Sequence, residues 1–190
     1  MPDREELFDV VDRAGRVVGA ARRSECHGNP ALLHRVVHVM VENAEGEILL
    51  QLRSSEKDIQ PGRWDTAVGG HLARGESVEE ALLRETREEL GIAVDLPRFT
   101  YGYAYVMQND LESERVHTFC LRHKGPFVHP AKEVSELRFW TREAIRRQLG
   151  TGLFTPNFEE EFARFEAWER ASPGPLRPGR TGIEPLEGTG

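Results

Sequence analysis

The segment from Ser77 to Leu90 constrains the fold most, because its sequence marks both ends of a helix. Ser77 is a preferred N-cap residue, and Glu80 three positions later completes a capping box. Gly91 favours the left-handed conformation in which many helices end. The apolar residues Ala81, Leu82 and Leu90 give this helix one side that packs on a core. The sequence therefore predicts a capped, half-buried helix over residues 77–90.

Three carboxylates share one face of this predicted helix. Glu85, Glu88 and Glu89 stand at positions i, i+3 and i+4, where like charges destabilise a helix. A hard divalent cation removes that repulsion, and Mg²⁺ prefers oxygen ligands while it keeps waters and phosphate oxygens as its other partners. The segment thus indicates a metal site, and the alternative interpretation is a solvated acidic face.

The neighbours of these carboxylates fit the same interpretation. Glu76 precedes the helix, where it is placed to join the cluster, and Arg84 and Arg87 are candidates to orient the carboxylates. Gly69–Gly70 and Gly75 allow the preceding loop to approach the helix closely.

The spacing over Gly70–Ile92 resembles the Nudix box, Gly-x5-Glu-x7-Arg-Glu-U-x-Glu-Glu-x-Gly-U, where U is apolar. Every fixed position is present. The one departure is Thr86, which stands where the pattern has an aliphatic residue. The resemblance implies an α+β fold, an α/β/α sandwich with a mixed β-sheet between helices. It also implies a hydrolase that uses Mg²⁺ or Mn²⁺ to cleave a diphosphate linked to a nucleoside or a similar group.

The resemblance assigns a role to each matching residue. Glu85, Glu88 and Glu89 are the expected metal ligands, and Glu88 or Glu89 is expected to orient or deprotonate the attacking water. Arg84 is expected to support this catalytic set. The chemistry would be metal-assisted attack of water on phosphorus.

The flanking segments resemble one branch of this superfamily, the isopentenyl-diphosphate isomerases and their hydrolase relatives. The likeness runs from the N-terminal segment DVVDRAGRVVGAARR through LLHRVVHV and LLQLRSSEKDIQPGRWD to GGHL. Those isomerases bind a metal with three histidines and two glutamates. The matching positions here are His27, His34, His71, Glu112 and Glu114. The resemblance therefore implies a second divalent metal, and such ligands suit Zn²⁺ or Mn²⁺.

Two alternatives stay open at this second site. The loop Gly28–Pro30 can displace His27 from the set. His38 lies four residues beyond His34 on a predicted strand and is an alternative partner for it.

One substitution separates hydrolysis from isomerisation. The catalytic cysteine of the isomerases falls on Gly69, and the two cysteines of this chain, Cys26 and Cys120, lie elsewhere. The complete carboxylate set also favours a hydrolase. An isomerase-like activity on prenyl diphosphates is the alternative, and a non-enzymatic module that binds a nucleotide or a protein is a third hypothesis. Such modules typically lose box residues.

Other candidate residues lie outside the box. Arg53 and Lys57 match diphosphate-binding positions of the isomerase branch, and the alternative is that both are exposed loop residues. Trp64 either stacks on a base or covers the core, and the core is favoured. Glu133 and Glu136 are candidates for a further ligand or base in a loop, against a solvated loop.

The rest of the chain alternates between strand and helix patterns. We expect a hairpin over 7–22, strands near 35–41, 47–53, 65–68, 98–108, 115–123 and 137–140, and helices near 142–149 and 156–170. In the last helix, Phe158, Phe162, Phe165 and Trp168 form an apolar stripe. We expect a single domain over residues 1–171 and a Gly/Pro-rich tail over 172–190.

Composition excludes several classes of protein. The 190 residues suffice for one domain, and a net charge of −7 argues against binding duplex nucleic acid. Long apolar runs, an N-terminal signal pattern and a CxxC pair are all missing from the sequence. We therefore expect a cytoplasmic protein whose partner is a small-molecule diphosphate and not a membrane. A homodimer is compatible with the resemblance.

Overall fold

The strand at the centre of the sheet is the β-branched run recognised in the sequence, now extended to Leu33–Glu42. The computed structural model describes residues 6–56, 60–130 and 132–171. In this part of the chain the strands are β1 Leu7–Val11, β2 Val17–Arg22, β3 Leu33–Glu42, β4 Ile48–Arg53, β5 Trp64–Thr66, β6 Val68–His71, β7 Phe99–Gln108, β8 Ser113–Arg122 and β9 Val134–Trp140. The α-helices are α1 Arg23–Cys26, α2 Val78–Leu90, α3 Arg142–Gln148 and α4 Pro156–Ala171.

The sheet is mixed, as expected. Strand β3 pairs antiparallel with β1, β4 and β6 and parallel with β8 over its whole length. Strand β8 continues to β7, and β4 continues to β5 and β9. Helices pack on both faces of this sheet, so the predicted α+β sandwich is confirmed.

Alternation along β3 divides the core into two layers. Val37, Val39 and Val41 pack with apolar residues of α2 on one face. Met40 packs on the other face with the phenylalanines of α4. The predicted stripe of α4 is confirmed, because Phe158, Phe162 and Phe165 are buried and Trp168 packs against them. We call these two faces of the sheet the α2 face and the α4 face.

Several boundaries differ from the sequence interpretation. The segment predicted as one strand near 65–68 forms two short strands, β5 and β6, that pair with different neighbours, β4 and β3. Glu136 lies within β9 and not in a loop before it. The proposed tail lies outside the described residues. Among the described helices, none is long and apolar enough to cross a lipid bilayer.

Candidate functional site

Helix α2 begins and ends at the residues that the sequence indicated. The Ser77 hydroxyl accepts the Glu80 N–H at 3.2 Å, and the Glu80 carboxylate accepts the Ser77 N–H at 2.9 Å. Gly91 takes the left-handed conformation with φ 66° and closes the last turn. Thr86, the departure from the box, is buried and its hydroxyl donates to the Leu82 carbonyl at 2.7 Å. The hydroxyl is therefore satisfied within the helix.

Arg84 is the hub of the carboxylate cluster. Its guanidinium donates to both oxygens of Glu76 at 2.8 Å, to Glu85 Oε1 at 2.6 Å and to Glu88 Oε2 at 3.3 Å. It also donates to the His71 carbonyl at 3.0 Å, which fixes α2 to strand β6. Arg87, the other candidate, has no ion pair with a described carboxylate, so the sequence interpretation of Arg87 is wrong.

The environment shifts the pKa values of these groups. Burial raises the pKa of the Glu85 carboxyl above its ordinary value, although the hydrogen bond from Arg84 opposes this shift. At Glu76 burial acts in the same direction, but the hydrogen bonds from Arg84 and the Ala73 N–H leave its pKa below the ordinary value. The hydrogen bond to Glu76 raises the pKa of Arg84 further. Arg84 thus stays charged and holds the cluster together.

Gly70 brings the sheet and the helix into direct contact. A Cβ at this position would lie 1.9 Å from Glu85 Cδ, so any side chain here would force the Glu85 carboxylate to move. The absence of a side chain at Gly70 therefore makes the room that Glu85 occupies against β6.

Glu89 is anchored separately from the other two glutamates. Its Oε2 accepts the Gly69 N–H at 3.1 Å and the Gln51 side-chain amide at 3.3 Å. Among the described residues, the sets whose ligand atoms lie within 4.8 Å of one another consist of histidines with or without Glu112 and Glu114. The structure therefore places Glu85 and Glu88 on Arg84 and Glu89 beside Gly69, and it does not close the three into one cluster.

The five residues of the second candidate site come together from distant segments. His27 follows α1, His34 and Glu114 are register partners on β3 and β8, and His71 ends β6. Nε2 of His27 lies 3.2 Å from Nε2 of His71 and 3.7 Å from Glu112 Oε2. Glu114 Oε1 lies 3.2 Å from His71 Nε2 and 3.8 Å from His34 Nε2. The Gly28–Pro30 loop thus leaves His27 in reach of the others.

The two ring nitrogens of His34 differ in their hydrogen bonding. Its Nδ1 lies 3.1 Å from the Leu32 carbonyl, to which it can only donate, so Nε2 carries the lone pair in the neutral ring. Nε2 is fully buried and has no hydrogen-bond partner among the described residues. Phe8 stacks on His34 and His71 with centroid distances of 5.4 and 4.8 Å and seals one side of the set. A divalent cation bound by this donor set would satisfy the orphaned nitrogen.

The pKa shifts of this set favour ligand forms. Burial lowers the pKa of His27 to about 4 and also lowers the pKa of His34. Burial raises the pKa of Glu112. Burial alone would also raise the pKa of Glu114, but its hydrogen bond with His71 brings the value below the ordinary one. At neutral pH, His27 and His34 are therefore uncharged, as metal ligation requires.

The remaining candidates are placed as follows. Arg53 forms an ion pair with Asp65 at 3.4 Å and is partly buried. Lys57 lies outside the described residues. Trp64 is buried against Trp140, which confirms the core interpretation. Glu136 pairs with Arg138 at the surface.

His38 is not the partner of His34. Its Nδ1 lies 2.9 Å from Oε2 of Glu161, a residue of α4 that sequence analysis missed. The available signal was the position of Glu161 between Phe158 and Phe162 on the buried side of an aromatic stripe. A carboxylate in that place needs partners within the core.

Comparisons with known proteins agree with this geometry. The NUDIX domain family matches residues 32–168. An uncharacterised Nudix hydrolase of Streptomyces coelicolor is 33% identical over 173 residues, which cover 90% of this chain and 94% of the relative. An isopentenyl-diphosphate Delta-isomerase of Nocardia farcinica is 36% identical over 173 residues, covering 87% of this chain and 98% of the relative.

A solved structure shows the same fold. DR0079 from Deinococcus radiodurans superimposes with a TM-score of 0.73 at 25% identity, over 84% of this chain and 98% of the other. The box on α2, the His/Glu set and these likenesses lead to one assignment. The chain belongs to the Nudix hydrolase superfamily, in the branch that resembles isopentenyl-diphosphate isomerase.

Proposed function

We propose that this Nudix hydrolase depends on Mg²⁺ and cleaves a diphosphate linked to a nucleoside or a similar moiety by attack of water on phosphorus. The observation that carries the proposal is the complete carboxylate set around Arg84 and Gly69, in which Glu85 and Glu88 bond to Arg84 and Glu89 to the Gly69 N–H. Oxygen donors of this kind fit Mg²⁺.

Each residue of the set has a separate task. Mg²⁺ at Glu85, Glu88 and Glu89 would neutralise phosphate oxygens and lower the pKa of the attacking water. The Glu88 side chain is 60% exposed and bonds to Arg84 through Oε2, which leaves Oε1 to accept a proton from that water. Glu89 is held by the Gly69 N–H of β6 and would orient the attacking water. Arg84 holds the carboxylates in place.

Arg53 is proposed to contact the substrate diphosphate. The same role is proposed for Lys57 on the basis of sequence alone, because Lys57 lies outside the described residues. Arg53 is held by Asp65 at the end of β4. A guanidinium in this position suits bidentate contact with phosphate oxygens.

The test is phosphate release from a panel of nucleoside and prenyl diphosphates with and without Mg²⁺. Glu88→Gln and Glu89→Gln are each expected to lower turnover by about 10²-fold or more, because each removes a ligand or proton acceptor. Glu79→Gln on the same helix is the matched control and keeps wild-type turnover. Near-normal turnover of both box variants contradicts the mechanism.

The His/Glu set is proposed to bind a second divalent metal such as Zn²⁺ or Mn²⁺. The support is the convergence of His27, His34 and His71 and the orphaned, buried Nε2 of His34. Imidazole and carboxylate ligands suit these metals.

A second candidate function is prenyl-diphosphate isomerisation, which the His/Glu set and the 36% identity to the Nocardia protein favour. Against it, Gly69 offers no thiol, and Cys26 and Cys120 are buried with pKa values raised by burial. Incubation with isopentenyl diphosphate in heavy water decides between the two, because deuterium exchange at carbon occurs only in an isomerase.

A further inference from the structure

A buried carboxylate on the α4 face is surrounded by hydrogen-bond donors. Glu161 has no exposed surface, yet four side chains bond to it. Its Oε1 accepts from the Tyr103 hydroxyl and from the Thr118 hydroxyl at 2.9 Å. Its Oε2 accepts from the Tyr105 hydroxyl at 2.6 Å and lies 2.9 Å from His38 Nδ1. Neither the carboxylate box nor the His/Glu set uses this arrangement.

The hydrogen-bond donors around Glu161 favour its ionised form, and this determines which nitrogen of His38 carries a proton. Burial alone raises the pKa of Glu161, but the hydrogen bonds from His38, Tyr103 and Tyr105 hold it below its ordinary value. An ionised carboxylate only accepts, so Nδ1 of His38 carries a proton and donates it to Glu161. The state of the other ring nitrogen, Nε2, then decides whether His38 is neutral or cationic.

The charges around His38 favour the cation. Glu161 on α4 is the nearest, and Glu114 on β8 and Asp65 on β5 add negative potential, which together outweigh burial and raise the pKa of His38. A buried carboxylate also needs a compensating positive charge. The raised pKa favours the form of His38 in which Nε2 also carries a proton.

Nε2 of His38 borders the exposed backbone of Gly69. His38 and Gly69 are register partners on β3 and β6, and Gly69 is exposed. A Cβ at Gly69 would stand 3.5 Å from Cδ2 and 3.6 Å from Nε2 of His38. Among the described residues, Nε2 has no hydrogen-bond partner. The N–H of the same Gly69 bonds to Glu89, so Gly69 contacts both the carboxylate box and His38.

We propose that His38 is a substrate-contacting residue whose Nε2–H donates to a phosphoryl oxygen lying over Gly69, and that Glu161 is its positioning residue. This inference rests on the proposed diphosphate hydrolysis and adds a residue outside the box to it. An imidazolium donor and an anionic acceptor form a charge-assisted hydrogen bond.

Three variants test the contact by steady-state kinetics. His38→Gln is expected to lower kcat/KM about ten- to a hundredfold, as for the loss of one hydrogen bond between charged groups. Glu161→Gln lowers it less, because the imidazole stays but loses its fixed orientation. Gly69→Ala leaves the His38–Glu161 pair intact at ordinary contact distance and fills the space before Nε2, so it raises KM without a loss of folding. His123→Gln, a histidine of the loop after β8, is the control with wild-type kinetics.

A binding measurement separates this contact from a purely structural role. In protein with ¹⁵N-labelled histidine, methylenediphosphonate with Mg²⁺ should shift the His38 Nε2 resonance, and Gly69→Ala should abolish that shift. An unchanged His38 resonance at concentrations that shift the backbone amides of residues 69–71, or kcat/KM of His38→Gln within twofold of wild type, overturns the proposal. If the wild type cleaves no diphosphate, the proposed function fails, and the resonance of His38 still decides on the contact by itself.

Discussion

Two adjacent glycines, Gly69 and Gly70, leave space that neighbouring side chains of the site occupy. Gly69 and Gly70 alternate between the two faces of β6, so the first borders His38 on the α4 face and the second borders Glu85 on the α2 face. The first position has room for a methyl group, whereas the second has none.

Gly70→Ala is therefore expected to displace the Glu85 carboxylate. Overpacking of this kind costs about 1–3 kcal/mol of unfolding free energy, and turnover should fall with the loss of the Glu85 position. Denaturant unfolding and phosphate release measure the two effects. Gly19→Ala in β2, where a Cβ meets nothing within 4 Å, is the matched control, and equal behaviour of the two variants would refute the steric account.

His117 gives a residue-level prediction of pH dependence. Burial, and then the charges of Arg115 and Arg35, lower its pKa to about 4 from 6.5. Between these values the unfolded chain binds more protons, so stability rises with pH from about 4 to 6.5 and is lost as pH falls through this range. At pH 5 the loss is about 2 kcal/mol relative to pH 7. Urea unfolding at both pH values should show a smaller difference in His117→Gln, and an unchanged difference would contradict the assignment.

At the scale of elements, helix α2 depends on its caps. Ser77→Ala removes the acceptor for the Glu80 N–H and is expected to cost about 1 kcal/mol of unfolding free energy. Glu79→Gln, in the same first turn, should change it by less than about 0.5 kcal/mol. Thermal or urea unfolding of both variants is the measurement, and equal effects would mean that the capping box does not stabilise the helix.

Elements could be predicted from sequence where the signal is local. The ends of α2 follow from Ser77, Glu80 and Gly91, and the hairpin of β1 and β2 follows from apolar runs around a turn. The break between β5 and β6 could not be predicted, because it depends on which neighbour each strand pairs with. Helical spacing did not separate the roles of Arg84 and Arg87. The resemblance to the box favoured Arg84, and the docking of α2 on β6 shows that the Arg84 guanidinium faces the carboxylates.

At the scale of the whole molecule, the His/Glu set exists only because four segments converge. Strand pairing brings His34, His71 and Glu114 together, and His27 reaches them from the end of α1. The family resemblance predicted this grouping, whereas the periodicity of the sequence does not indicate it. The pair of His38 and Glu161 had no such pattern to indicate it, because a strand and a distant helix supply its two members.

Metal removal tests this long-range set. We expect purified protein to hold about one tightly bound transition metal per chain, and chelation to lower Tm, because a ligand that binds only the folded state stabilises it. His34→Gln should lose the metal and show the lower Tm without chelation. His123→Gln should retain the metal and the wild-type Tm. Elemental analysis with calorimetry measures this, and a metal-free protein with a Tm insensitive to chelation would leave the set without a metal role.

The most direct measurement follows the oxygen of the attacking water. Turnover of the active diphosphate in H₂¹⁸O with Mg²⁺ should place one ¹⁸O in a phosphoryl product at each cleavage, as measured by mass spectrometry. Glu89→Gln should slow the formation of this labelled product by about 10²-fold or more. Product without ¹⁸O on phosphorus, or deuterium incorporated into isopentenyl diphosphate from heavy water, would contradict hydrolysis at phosphorus.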